Sequence, residues 1–231
     1  MAIGIGLADR GFAGLRRKIG RGVRFGIGRF RSHGAAHFQR LYDANPDPWG
    51  FRTSLYEQEK YQRTIAALGD RRFESTFEVG CSIGVFTRLL AQRCRSLLAV
   101  DIVETPLAAA REHCADLPQV QFKCMDITSG WPEGQFDLIV LSEVLYFLSP
   151  AAIAGVARRA ASCLAPDGLV VLVNWLGKGD DPVSGDDAAR RFIAAATRLE
   201  VTGSDRQARY RIDLLQARTA MPDAAREQTG R

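Results

Sequence analysis

Long apolar runs are absent. No stretch of about 18 apolar residues occurs, which excludes a transmembrane helix. The first 20 residues alternate Gly, Arg and apolar side chains without an apolar h-region, so no secretory signal is expected. Histidine is scarce. His33, His37 and His113 form no HExxH or similar spacing, so no metal site is expected. The five cysteines (Cys81, Cys94, Cys114, Cys124, Cys163) are odd in number, contain no CxxC pair and sit in apolar runs. That pattern excludes a disulfide frame and fits reduced thiols in a cytoplasmic protein. No internal repeat is visible.

What is present is a globular composition: 231 residues, 46% hydrophobic and 25% charged. The length suits one domain of roughly 150–200 residues plus an extension. The net charge of +5 is unevenly placed. Residues 1–32 carry eight Lys/Arg and one acid, leaving the remainder slightly acidic. Glycines punctuate this arm, and each disfavours a helix by roughly 1 kcal/mol. Residues 1–35 therefore read as a disordered basic arm, or as a segment that lies on an anionic or membrane surface.

Residues 36–69 read as a helical lid. A short helix leads to the loop Asn45-Pro46-Asp47-Pro48-Trp49-Gly50, kept extended by two X-Pro steps. Ser54-Leu55-Tyr56-Glu57 has a capping-box pattern that opens a helix ending at Gly69. From 70 to 218 strands and helices alternate. Strands are predicted at 75–79, 96–101, 120–125, 136–141 and 169–174, with helices near 84–93, 105–115, 150–164 and 186–197. Ala165-Pro166-Asp167-Gly168 reads as a turn, and runs near 198–203 and 208–216 read as an antiparallel hairpin. Continuous apolar strands separated by helices predict an α/β fold. It is a Rossmann-like, doubly wound, seven-stranded, mostly parallel sheet. Residues 219–231 read as a flexible tail.

The first strand runs into Glu78-Val79-Gly80-Cys81-Ser82-Ile83-Gly84. Two glycines four apart at a strand-to-helix turn let the backbone approach a ligand. The dinucleotide fingerprint is not met, because Ser82 and Val85 stand where it needs glycine. Asp101 ends strand two, where a carboxylate faces the same crevice and can accept both hydroxyls of a ribose. Asp126 ends strand three and can accept from an adenine amine. Each Asp alone reads equally as a helix cap. An ordered series of acids and a glycine turn at three strand ends is harder to dismiss.

These residues, together with Phe136-Asp137-Leu138-Ile139-Val140 and Leu164-Ala165-Pro166-Asp167-Gly168, resemble class I S-adenosylmethionine-dependent methyltransferases over roughly 70–216. Many members have Gly where this chain has Ser82. Asp47-Pro48-Trp49, Tyr56-Glu57, Lys60-Tyr61 and Ser142-Glu143-Val144-Leu145-Tyr146 extend the resemblance to the nodulation protein S (NodS-like) methyltransferases. Those N-methylate the deacetylated terminal glucosamine of a chitooligosaccharide.

The resemblance implies S-adenosyl-L-methionine as cofactor. It implies that Glu78, Gly80, Cys81, Ser82 and Gly84 surround its methionine and ribose. Asp101 would hold the ribose diol, with Ile102 against the adenine and Asp126 and Ile127 flanking it. Ser142 and Glu143 would lie near the transferable methyl, with Glu143 as base and Tyr146 as an orienting hydroxyl. Trp49, Tyr56, Lys60 and Tyr61 would form a lid over cofactor and acceptor, and Trp175 would line the acceptor pocket. Glu143 also reads as a helix N-terminal carboxylate, and the aromatics as packing. The acceptor is expected to be a small molecule or saccharide, most simply an amine such as a deacetylated aminosugar. O-methylation of a saccharide or glycolipid is the alternative with the same cofactor residues. A cofactor-binding module docked to anionic surfaces through residues 1–32 is the alternative of another class. No nucleic-acid partner is required.

Overall fold

The computed structural model describes residues 31–218; the expectations for residues 1–30 and for the tail from 219 lie outside the described residues. Two helices come first, α1 (Ala35–Ala44) and α2 (Leu55–Ala67). They are followed by β1 (Thr76–Val79), α3 (Val85–Leu90), β2 (Leu97–Asp101), α4 (Glu104–His113) and β3 (Val120–Cys124). Then come β4 (Phe136–Ser142), α5 (Pro150–Cys163), β5 (Leu164–Trp175), α6 (Gly185–Ala195), β6 (Leu199–Arg206) and β7 (Tyr210–Ala217). The seven strands form one sheet in the order β3-β2-β1-β4-β5-β7-β6. Strands β1 to β5 pair in parallel, and β7 runs antiparallel to both β5 and β6. The order reverses between β1 and β4, so a crevice opens at the carboxyl ends of these strands.

Strand β4 shows why the sheet is covered on both faces. Leu138 and Val140 pack with side chains of α2 and α3, while Ile139 and Leu141 pack with those of α5 and α6. All four are fully buried. Each such burial contributes about 1.5–3 kcal/mol. Three serines cap helices as their sequence positions suggest. Ser54, Ser149 and Ser184 accept from the amides of Glu57, Ala152 and Asp187. The capping box at α2 is only half formed. The Glu57 carboxylate turns into the interior, while the Ser54 amide donates to the Gly50 carbonyl.

The expected turn at 165–168 lies inside β5. Phe136 pairs with Leu164 and Leu138 with Leu169, so the intervening residues bulge out of register, with Asp167 at φ +60°. The end of the basic arm is docked on the body. The His33 amide donates to the Phe147 carbonyl at 2.8 Å, and the Ser149 amide to Ser32 Oγ at 2.9 Å. Among the described residues no helix is long and apolar enough to cross a membrane.

Candidate active site

The crevice begins at the turn after β1. Gly80 has φ +81°, and a Cβ there would lie 2.3 Å from Val144 Cγ1. Glycine is therefore required both by backbone conformation and by the close approach of the β4 tip. Gly84 has φ +79°, and a Cβ there would lie only 3.1 Å from Ala110 of α4. Between them Ser82 is left-handed at φ +48°, a conformation that costs a non-glycine residue about 1–2 kcal/mol. Two contacts hold it. Its amide donates to Asp101 Oδ2 at 3.0 Å, and its hydroxyl lies 2.6 Å from the Tyr42 hydroxyl of α1.

Acids line the crevice at successive strand ends. Asp101 is buried and also accepts from the Val103 amide at 3.2 Å. Burial pushes its carboxyl up to about 6, against the pull of those amides. Glu78 is buried one strand away, and burial pushes it up to about 7 despite the Thr87 hydroxyl nearby. Its Oε2 has no hydrogen-bond partner. Asp126 Oδ1 accepts from the Thr128 amide and hydroxyl at 2.8 and 2.7 Å, a turn that sets the carboxylate at the end of β3.

The N-terminal segment closes the crevice. Asp47 accepts from the amides of Phe51 and Arg52, folding the Pro-rich loop into a turn. That turn carries an aromatic series across the opening. Tyr42 meets Trp49 edge-on at 5.7 Å, Trp49 stacks on Phe51 at 5.5 Å, and Tyr61 stacks on Phe86 at 5.1 Å. Behind these rings lies a charged cluster. Lys60 Nζ, 1% exposed, is 2.8 Å from Glu57 Oε2 and 3.2 Å from Glu143 Oε1. The approach angles miss hydrogen-bond geometry, so these contacts are ion pairs. Burial works against the Lys60 charge, but Glu143 and Glu57 outweigh it and hold the ammonium protonated. The Tyr146 hydroxyl donates to the other oxygen of Glu143, Oε2. Glu143 itself is left-handed at φ +62°, and such strain tends to gather at functional sites.

The resulting cavity encloses about 1050 Å³ of empty space, its open mouth included. Its wall includes Glu78, Gly80, Cys81, Ser82, Asp101, Ile102, Asp126 and Ile127 from the β1–β3 ends. Ser142, Glu143 and Tyr146 reach it from the β4 end, and Trp49, Lys60 and Tyr61 from the N-terminal segment. Three residues singled out from sequence are placed elsewhere. Gly84 serves the α3–α4 packing described above. Tyr56 faces the β6–β7 turn, where the Arg209 guanidinium lies 3.9 Å over its ring and its hydroxyl meets the Arg209 carbonyl. Trp175 packs against the apolar residues on both faces of the sheet. Sequence reasoning missed Tyr42, Phe51 and Phe38, all on the wall, because nothing local marks an aromatic as facing a cavity. It read Glu57 as a cap, although its spacing of three from Lys60 was available as a signal.

Residues 35–176 match the family described as Nodulation protein S (NodS). Nodulation protein S of Sinorhizobium fredii is 33% identical over 130 residues, 55% of this chain and 60% of that protein. Its counterpart in Bradyrhizobium diazoefficiens is 36% identical over 123 residues, 52% of this chain and 59% of that protein. The chain thus spans about three fifths of the length of these curated relatives. The crystal structure of N-methyltransferase NodS from Bradyrhizobium japonicum WM9, in complex with S-adenosyl-L-homocysteine, shares the fold. Its TM-score is 0.67 at 22% identity, covering 78% of this chain and 97% of that one. The strand order and C-terminal hairpin are those of the class I methyltransferase fold. The chain belongs to the nodulation protein S family.

Proposed function

We propose that this chain is an S-adenosylmethionine-dependent methyltransferase that N-methylates an amine carried by a small molecule or saccharide, with a deacetylated aminosugar as the favoured class. The observation that carries the reading is the buried cluster of Glu57, Lys60 and Glu143 behind an aromatic wall. Lys60 pairs both with Glu57, whose carboxyl burial pushes up, and with Glu143, so Glu143 at the β4 tip presents carboxylate charge to a site of low dielectric. A cationic acceptor complements that charge, and aromatic faces suit both cations and sugar rings. Relatives described as N-methyltransferase NodS and Phosphoethanolamine N-methyltransferase 1 support transfer to nitrogen.

The residues present fit the cofactor. Glu78 offers a buried acceptor without a partner toward an ammonium, and Asp101 offers a carboxylate toward a ribose diol. The missing Cβ of Gly80 keeps the floor between them low. Ile102, Asp126 and Ile127 would flank the adenine. When bound, the cofactor supplies a methyl group already activated by positively charged sulfur. The chain must align the acceptor, exclude water and take one proton from an ammonium so that its lone pair is free. Alignment is worth about 7–11 kcal/mol in favourable cases. Glu143 at the β4 tip is the proton acceptor, oriented by Tyr146, and such a base adds about 10²–10⁴-fold.

The test is product mass spectrometry with purified protein, S-adenosylmethionine and a panel of aminosugars, simple amines and the matching N-acetylated sugars. A gain of one methylene on free amines alone is expected. Methylation of the N-acetylated sugars would overturn the amine reading. Asp101→Ala should lose cofactor binding by calorimetry; unchanged affinity would refute the pocket assignment.

A further inference from the structure

Lys60 is buried, and its ammonium lies among Glu57, Glu143 and the rings of Tyr56 at 5.1 Å and Tyr61 at 6.0 Å. It sits on α2, outside the strand-and-helix core that carries the β1–β4 strand ends. Yet its ion pair joins that helix to Glu143, the left-handed residue at the β4 tip. Glu143 is gripped at both oxygens, by Lys60 at Oε1 and by Tyr146 at Oε2. A carboxylate held at both ends has its side-chain torsions set before any ligand arrives. Glu57 keeps Lys60 in place from one helical turn away.

From this we propose that Lys60 is a positioning residue for Glu143. Docking of α2 on the sheet and aiming of Glu143 at the transferable methyl are then one event, and the site is complete only with α2 seated. Glu57 is the anchor that keeps the lysine pointed at Glu143. Sequence position disguises this role, because Lys60 lies 83 residues from Glu143 on an element that reads as a lid. The inference rests on the reading of Glu143 given above, and its test separates the two.

The test needs no acceptor. Calorimetry compares S-adenosylhomocysteine with sinefungin, which carries a CH–NH₃⁺ unit in place of S⁺–CH₃. Preference for sinefungin reports how well a carboxylate faces the methyl position. Glu143→Gln should reduce that preference about tenfold, the scale of a charged hydrogen bond. The double variant Glu57→Gln/Lys60→Met keeps one negative charge in the cluster but removes the clasp. It should lower the preference by a similar factor, with S-adenosylhomocysteine affinity close to wild type. Adding Glu143→Gln to that double variant should change little more, because the two act as a unit. Lys60→Gln guards against a double variant that does not fold. Its cluster is more negative, so charge alone would raise the preference, and a fall still reads lost position. Wild-type preference in the double variant, or a raised preference in Lys60→Gln, overturns the positioning role while leaving Glu143 in place. Wild-type preference in Glu143→Gln overturns the placement of Glu143 itself, and Lys60 with it.

Discussion

Gly80→Ala is the substitution whose cost follows most directly from the structure. The new methyl would lie 2.3 Å from Val144 Cγ1, far inside van der Waals contact. Valine is stiff at χ1, so it relieves the clash poorly. Overpacking of this kind costs about 1–3 kcal/mol. The backbone at φ +81° adds about 1–2 kcal/mol for any residue with a Cβ. The expected loss is about 2–5 kcal/mol, read by urea unfolding monitored through the tryptophans. Val144→Ala separates the two contributions. In that background Gly80→Ala should lose only the backbone share, about 1–2 kcal/mol. The double-mutant cycle therefore predicts a favourable coupling of about 1–3 kcal/mol between the two sites. A coupling near zero would refute the close approach of the β4 tip to the glycine turn. It would leave the backbone conformation at φ +81° as the one reason for glycine at the floor of the cavity.

Tyr42→Phe removes a buried hydroxyl pair with Ser82. It should cost about 1 kcal/mol in urea unfolding and weaken S-adenosylhomocysteine binding several-fold by calorimetry. An unchanged binding constant would detach α1 from the cofactor wall. Glu78 and Asp101, pushed up to about 7 and about 6 by burial, predict the pH dependence of the ligand-free protein. Their protonated forms are favoured in the fold, so their contribution is full below their ordinary carboxyl range. It is lost as pH rises through these values. Glu78→Gln should therefore gain about 1–3 kcal/mol relative to wild type at pH 8 and little at pH 4, by urea unfolding at both. Equal effects at the two pH values would show that Glu78 does not ionise in this window.

Much of the fold was legible because it rests on local and periodic signals. Apolar runs of five to seven residues separated by helical stretches announced the parallel sheet, and the close pair of C-terminal runs announced the hairpin. The β5 bulge was missed because Pro166-Asp167-Gly168 has turn chemistry. Pairing of Phe136 with Leu164 recruits the residue before that turn into the strand. The partial capping box failed for a related reason. Its pattern matched, but an interior lysine one helical turn away attracts the Glu57 carboxylate more strongly than an amide at the helix end.

The sequence by itself determined the order of strands and helices, the glycine turn after β1, and the acids that end β1, β2 and β3. Each depends on neighbours a few residues apart, through backbone sterics and alternation of burial. Only the tertiary structure decided which side chains face one another across the crevice. Tyr42 meets Ser82 from 40 residues away, Lys60 meets Glu143 from 83, and Tyr56 turns from the cavity to Arg209. Such contacts depend on how helices seat on a twisted sheet and on where a buried charge finds its partner. No local periodicity encodes either one, and the burial of Lys60 between two carboxylates makes the second a strong constraint.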